Sequence, residues 1–284
     1  MKKILQKNKT YISPKFHCLK LLDFLQIIKR GTGIISAKIF PYSCIHCGEI
    51  LEKGSEDTFF CEKCSKKIIP INQNECCKKC GYPLERENFL DDKKQCYSCS
   101  ILHPKFQVAR SCFQYKGIIR HLLLLLKYHF FTDCLGFVGA EMYKTYLENI
   151  NNGSFVKPDF VCFVPITKRK LFFKTFNHSA IITNSFVNVA RKNGQKLPVI
   201  YDFLIKTHKT KQSKKLNQKE RITSRHFISV NPKYCQLYLK GKTILLIDDI
   251  ITTGATINET TILINKVFPN VKVECLSLAR TMVY

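Results

Sequence analysis

From residue 106 onward the apolar positions switch between two periods. "FQVARSCFQY" (106–115) alternates like a strand, and "GIIRHLLLLLKYHF" (117–130) reads as a helix. "PDFVCFVPI" (158–166) is a short continuous apolar run, which suits a strand buried on both faces. "NHSAIITNSFVNVARKNG" (177–194) is helical, with Gly194 placed to end it. "KTILLIDDI" (242–250) is a second buried strand, "NETTILINKVF" (258–268) a helix and "VKVECLSLA" (271–279) a last strand. Strands alternating with helices predict an α/β fold with a mainly parallel sheet flanked by helices. Ligands of such sheets bind beyond the carboxyl ends of the strands.

Upstream of residue 106 cysteine dominates instead. Four C-x-x-C pairs stand there: Cys44 and Cys47, Cys61 and Cys64, Cys77 and Cys80, Cys96 and Cys99. Two intervening residues let both thiolates of a tight knuckle reach one tetrahedral ion at about 2.3 Å. Gly48 and Gly81 each follow a second cysteine, where a knuckle commonly needs φ > 0. Two pairs complete one four-cysteine site, so four pairs predict two structural zinc ions and no open coordination position. Grouping in chain order is preferred, with an interleaved grouping as the alternative. Cys76 is out of register with Cys77 and reads as a spectator. The total of 15 cysteines is odd and clustered, which argues against a disulfide framework.

Charge and length add bounds. The chain holds 46 Lys and Arg against 21 Asp and Glu, in 284 residues. Residues 206–225, "KTHKTKQSKKLNQKERITSR", carry eight Lys or Arg and one acid, Glu220. Such a run suits a solvated loop, a polyphosphate or nucleic acid, and charge alone does not choose. No apolar run reaches the ~18–20 residues of a membrane span. No secretory h-region is visible, so a cytoplasmic location is expected.

The stretch "ILLIDDIITTGAT" (244–256) concentrates the candidate chemistry. Its strand ends in Asp248 and Asp249 and runs into Thr252, Thr253, Gly254, Ala255 and Thr256. Backbone amides, threonine hydroxyls and a helix N-terminus together suit a phosphate. The carboxylates would repel that phosphate but suit a neighbouring vicinal diol. Acid pair and phosphate cradle together describe a ribose 5-phosphate. Thr256 followed by Glu259 also reads as a capping box that starts the next helix.

"LLIDDIITTGAT" resembles the phosphoribosyl pyrophosphate (PRPP) signature of type I phosphoribosyltransferases. With the cysteine module in front, the chain resembles the ComF family, the ComFC and GntX-like proteins, from about residue 37 to its end. "FVPITKRKLFFKTFNHSA" is similar to the family's VPVPL…R-G-F-N-Q-S stretch, keeping Phe176 and Asn177. "TKQSKKLNQKERITSRHF" is similar to another of its segments, keeping Gln212, Leu216, Glu220 and Arg221. Lys174, Thr175, His178 and Ser224 depart from the family pattern. The phosphate cradle is therefore intact, while the side toward pyrophosphate and acceptor has drifted.

The resemblance implies a type I phosphoribosyltransferase-like sheet preceded by a small four-cysteine zinc-ribbon module. It implies a basic extension over 1–37, a double zinc ribbon over 38–103 and the phosphoribosyltransferase-like domain over 104–284. Asp248 and Asp249 would take the ribose hydroxyls and, through them, Mg²⁺. Thr252 to Thr256 would take the 5-phosphate. Ile166, Thr167 and Lys168 would hold pyrophosphate, with Arg169, Lys170 and Arg221 neutralising it. Purine-salvage transferases carry a carboxylate base where this loop has Thr252, so purine salvage is disfavoured. The implied partners are PRPP, single-stranded DNA and other competence proteins. The implied activity is phosphoribosyl transfer to an unidentified acceptor, linked to DNA uptake. The alternative is a PRPP-sensing zinc-ribbon protein that binds single-stranded nucleic acid without turnover.

Overall fold

The computed structural model describes residues 43–51, 59–84, 94–128, 131–165, 177–206 and 228–282. The chain divides into two compact units, Met1–Ser65 and Lys66–Tyr284.

Among the described residues, the first unit consists of one cysteine knuckle and a one-turn helix, α1 (Glu62–Ser65). The amide of Gly48 bonds the carbonyl of Cys44 at 2.8 Å, and that of Cys44 bonds Glu49 at 2.7 Å. Ile45 and Phe59 join the two halves through a backbone bond of 3.1 Å. The pair Lys63–Glu49, at 3.4 Å, is solvent-exposed and adds little.

The second unit opens with the remaining cysteines and α2 (Tyr97–Leu102), then β1 (Val108–Gln114), α3 (Gly117–Tyr128) and α4 (Leu135–Asn151). There follow β2 (Phe160–Phe163), α5 (His178–Lys192), the short strands β3 (Leu204–Lys206) and β4 (Ile228–Val230), then β5 (Thr243–Ile251), α6 (Ala255–Val267) and β6 (Lys272–Arg280). The main sheet has the order β1-β6-β5-β2 and is parallel throughout, while β3 and β4 form a separate antiparallel pair. Helices α4 and α5 pack on the sheet and on each other, and α6 lies against β4. Central strands flanked in this way must be apolar on both faces, and Ile244 to Ile247 of β5 are each fully buried.

Several elements differ from the sequence expectations. Helix α4 and the β3–β4 pair were not anticipated. "LGFVGAEMYKTYLENIN" nevertheless buries Val138, Met142, Tyr143 and Tyr146 at helical spacing. Strand β1 does not alternate between buried and exposed: six of its seven positions are buried, Arg110 and Ser111 included. The reason is a covered edge. Residues from the cysteine segment bond along β1, through Ala109 N–H to Lys79 O at 2.8 Å and Ile71 N–H to Cys112 O at 2.9 Å. An exposed sheet edge invites unwanted pairing, and here the chain supplies its own cover.

The capping-box expectation is also corrected. Helix α6 begins at Ala255, its N-cap is Gly254 at φ 80°, and the side chain that meets its first amide is Thr253, whose Oγ1 accepts from Ala255 N–H at 3.3 Å. Gly254 turns the chain directly from strand into helix, so Thr256 falls inside the first turn. A β-carbon would be strained at that φ.

Candidate functional site

The eight paired cysteines gather into two groups in chain order, Cys44, Cys47, Cys61 and Cys64, then Cys77, Cys80, Cys96 and Cys99. Within each group the sulfurs lie within 4.8 Å of one another. Cys47 and Cys61 approach to 3.7 Å, as do Cys80 and Cys96. A tetrahedral zinc with arms of about 2.3 Å needs sulfur edges of ~3.8 Å, so both groups fit that ion. Hydrogen bonds from Cys80, Cys96 and Cys99 hold the Cys77 thiol far below its usual range, while those with Cys77, Cys80 and Cys96 push Cys99 up. Four sulfurs converging on one point are the donor set a structural dication requires. Cys76 stands apart, buried, and donates its thiol hydrogen to Gln73 O.

The second group is continuous with the core of the sheet. Its four cysteines share one buried cluster with Phe106, Ala109, Phe160, Leu246, Ile257 and Cys275. Arg280, the last residue of β6, donates to Cys80 O at 2.9 Å and to Cys80 Sγ at 3.4 Å, and lies over the Tyr82 ring. Arg110 on β1 donates to the carbonyls of Cys77 and Lys78 and to Asn149 Oδ1 of α4. Gly81 is at φ 68°, and a β-carbon there would stand 2.6 Å from Ala109 O, so the knuckle lies flush on β1 only as glycine.

Strand β5 runs through both acids to Ile251, and its period of two sends their side chains to opposite faces. Asp248 Oδ1 accepts from Ser179 Oγ at 3.1 Å and from the Asp249 amide at 3.0 Å. Asp249 Oδ2 pairs with Lys127 Nζ of α3 at 2.6 Å. Burial first, and the Asp249 charge second, push the Asp248 carboxyl up to about 7. Asn177 caps α5 by accepting from the Ser179 amide and donates to Val164 O, tying the exit of β2 to the helix that bears Ser179. The acids are thus held at the carboxyl end of the sheet by α3 and α5.

The loop after β5 borders a cavity of about 710 Å³. Thr252, Thr253, Gly254 and Ala255 line it together with Asn258 and Arg280. Cys80, Cys96, Cys99, Tyr82, Leu84, Tyr97, Ser98, Leu102, Pro104 and Phe106 complete the wall. Neither carboxylate of the acid pair lines it, and Thr256 does not either. Asn258 accepts from the Lys105 amide at 2.7 Å, which fastens the segment leaving the cysteines to α6. Ile166, Thr167, Lys168, Arg169, Lys170 and Arg221, with the basic run 207–225, lie outside the described residues.

Sequence reading missed Lys127, Ser179, Asn258 and Arg280. For Arg280 a signal existed, since a charged residue ends an otherwise buried strand. Lys127 and Ser179 lie far from the acids in sequence, and only helix packing brings them near.

Two family models match the chain: a double zinc ribbon domain over residues 35–100 and a phosphoribosyl transferase domain over residues 187–283. No protein of curated function matches it. Among solved structures it is similar to a hypoxanthine phosphoribosyl transferase of Trypanosoma cruzi, at 13% identity over 51% of this chain and 64% of that one, with a TM-score of 0.31. The same Trypanosoma cruzi enzyme with its product IMP gives 13% identity, 51% and 65% coverage and a TM-score of 0.30. An HPRT carrying an asparagine in place of an invariant aspartic acid gives 13% identity, 51% and 65% coverage and a TM-score of 0.31. The chain thus spans a little under two thirds of the length of these chains.

Proposed function

We propose that this chain, a double zinc ribbon domain followed by a phosphoribosyltransferase domain, is a ComF-type protein that binds PRPP and transfers its phosphoribosyl group to an unidentified acceptor. The observation that carries the reading is the β5–α6 turn. There an acid pair ends a central parallel strand, and a glycine-cornered loop, whose Thr253 hydroxyl accepts from the Ala255 amide at 3.3 Å, runs into a helix with glycine at its N-cap.

In this reading the amides of Thr253 to Thr256 and the threonine hydroxyls take the 5-phosphate, aided by the α6 dipole. Asp248 and Asp249 accept hydrogen bonds from the ribose hydroxyls, with Asp249 exchanging part of its contact with Lys127. The acceptor's lone pair forms the new bond to C1 of the ribose. The C1–oxygen bond breaks, and pyrophosphate leaves with its electron pair, together with the Mg²⁺ that accompanies it. Positive charge developing on the ring is stabilised by preorganised groups rather than by a covalent intermediate. Ile166, Thr167, Lys168 and Arg221 are assigned to the pyrophosphate side. The two cysteine clusters each hold one zinc as folding elements. A cytoplasmic site of action and a link to DNA uptake belong to the same proposal.

The test is pyrophosphate release from PRPP and Mg²⁺ over a panel of amines and bases, with calorimetric titration of PRPP alongside. Binding with release identifies the transferase. Binding without release across the panel would favour the alternative, a PRPP-sensing protein whose basic run, residues 206–225, contacts single-stranded nucleic acid. An absence of PRPP binding would remove both.

A further inference from the structure

Among the described residues two cationic side chains are buried, Arg110 and Arg280, at 1% and 4% exposure. They stand on β1 and β6, which pair side by side. Neither forms an ion pair with a carboxylate of the described residues. Glu274, the buried acid among them, accepts from the Val156 amide instead. A buried cation is costly unless a negative charge stands close to it.

Both guanidinium groups turn to one place, the second cysteine knuckle. Arg280 donates through Nη1 to Cys80 O at 2.9 Å and through Nη2 to Cys80 Sγ at 3.4 Å. Arg110 donates through Nη1 to Cys77 O at 3.4 Å and to Lys78 O at 3.3 Å. Its bonds to Asn149, Ala109 and Ser154 go to neutral acceptors. Four thiolates around a dication carry two negative charges, and the two arginines carry two positive ones. The balance is neutral. A trivalent or a monovalent ion would leave one charge uncancelled in the core. Lys79, also on the knuckle, is half-buried over the Phe106 ring and partly screened by water. The first cluster is built otherwise. No arginine occurs in its described residues, 43–51 and 59–65, and Lys63 is exposed and paired with Glu49.

We infer that Arg110 and Arg280 are the counter-ions of a doubly negative tetrathiolate centre at Cys77, Cys80, Cys96 and Cys99, and that their charge selects and retains a divalent ion there. The inference rests on the reading of this cluster as a metal site and goes beyond it, since it assigns the ion's charge to residues of the sheet. Loss of the metal lets the thiols regain protons and leaves both buried cations without a partner. Metal and the β1–β6 pair therefore stabilise each other.

The experiment follows transfer of zinc from the full-length, zinc-loaded protein to a colorimetric chelator. Arg280→Gln keeps an N–H donor but removes the charge. It should speed the loss of one of the two zinc ions about tenfold or more and leave the other unchanged, as removal of a group that hydrogen-bonds a metal ligand costs about 10–100-fold. Arg280→Lys keeps the charge and should stay within about threefold of wild type. A double-mutant cycle separates charge from packing. Cys96→His replaces an anionic ligand with a neutral one and leaves the centre a single negative charge. Together with Arg280→Gln it restores the balance, so the double variant should hold zinc at least as firmly as Cys96→His alone. If Arg280→Gln by itself does not fold, adding Cys96→His should restore a zinc-bound fold. Additive losses, no such restoration, or Arg280→Lys as weak as Arg280→Gln would overturn the inference, because contacts and not charge would then retain the ion. A wild type holding fewer than two zinc ions overturns the metal reading itself. Two ions that are both indifferent to Arg280 overturn this inference alone.

Discussion

In the cluster of Cys44, Cys47, Cys61 and Cys64, one cysteine is exposed and one half-buried, whereas Cys77, Cys80, Cys96 and Cys99 are all buried. The first closes a small unit whose described residues bury little besides Phe60. The second continues the apolar core of the sheet, and Arg110, Arg280 and Asn258 tie it to β1, β6 and α6. The same C-x-x-C spacing therefore does different structural work. A knuckle with few neighbours depends on its ion for order, while one built into a core shares its fate with the domain.

That contrast is broken most directly by removing one sulfur from each cluster. Cys99→Ser should lower the melting temperature of the α/β unit by roughly 10 °C or more, because a buried ligand and its metal are lost together. Cys61→Ser should unfold only the first unit, leaving the main transition in place. Calorimetric scans and zinc content of both variants check the pair. Equal effects of the two substitutions would erase the distinction.

Next in size is the acid pair. Asp248→Asn with Asp249→Asn should weaken PRPP with Mg²⁺, since each hydrogen bond to a charged group contributes about 1.5–3 kcal/mol. Calorimetry of wild type and variant gives the answer, and equal affinities would reduce the pair to a turn.

Gly81→Ala sharpens the role of the second knuckle as the cover of β1. The strained φ and the clash with Ala109 O should cost about 1–3 kcal/mol, or roughly 3–10 °C. By contrast Gly48→Ala, at φ 77° but with open space around it, should affect only the first unit.

A smaller effect is read from pH. Folding raises the Asp248 carboxyl from its ordinary 3.8 to about 7, so the folded state favours the protonated form. Stability from this group is complete below pH ~4 and is lost as pH rises through about 7. Asp248→Asn should therefore gain a few degrees over wild type at pH 8 and nothing at pH 4. Burial also pushes Glu274 up to about 7, so the variant keeps part of the slope. Thermal melts across pH 4–8 measure it, and parallel curves would discount the Asp248 shift.

The smallest expected change lies in the basic run. If residues 206–225 contact single-stranded DNA, replacing Lys211, Lys214 and Lys215 with Gln should flatten the salt dependence of binding by up to about three units. An unchanged slope returns those lysines to the solvent.

Periodicity in the sequence was enough for the α/β class, the parallel sheet and most of its helices, because burial on two faces demands near-continuous apolar strands. Local spacing was likewise enough for the C-x-x-C knuckles, whose ligands lie within a few residues of one another. It was not enough for β1, whose alternation is overridden by Lys79 and Ile71 covering its edge. Nor did it reveal that Asp249 meets Lys127, that Asp248 meets Ser179, or that Arg280 meets Cys80 across 200 residues of chain. Those pairings depend on which helix packs on which face, a long-range choice that no local pattern encodes. The cavity shared by the second cysteine cluster and the loop at 252–255 exists for the same reason: tertiary packing alone brings its two walls together.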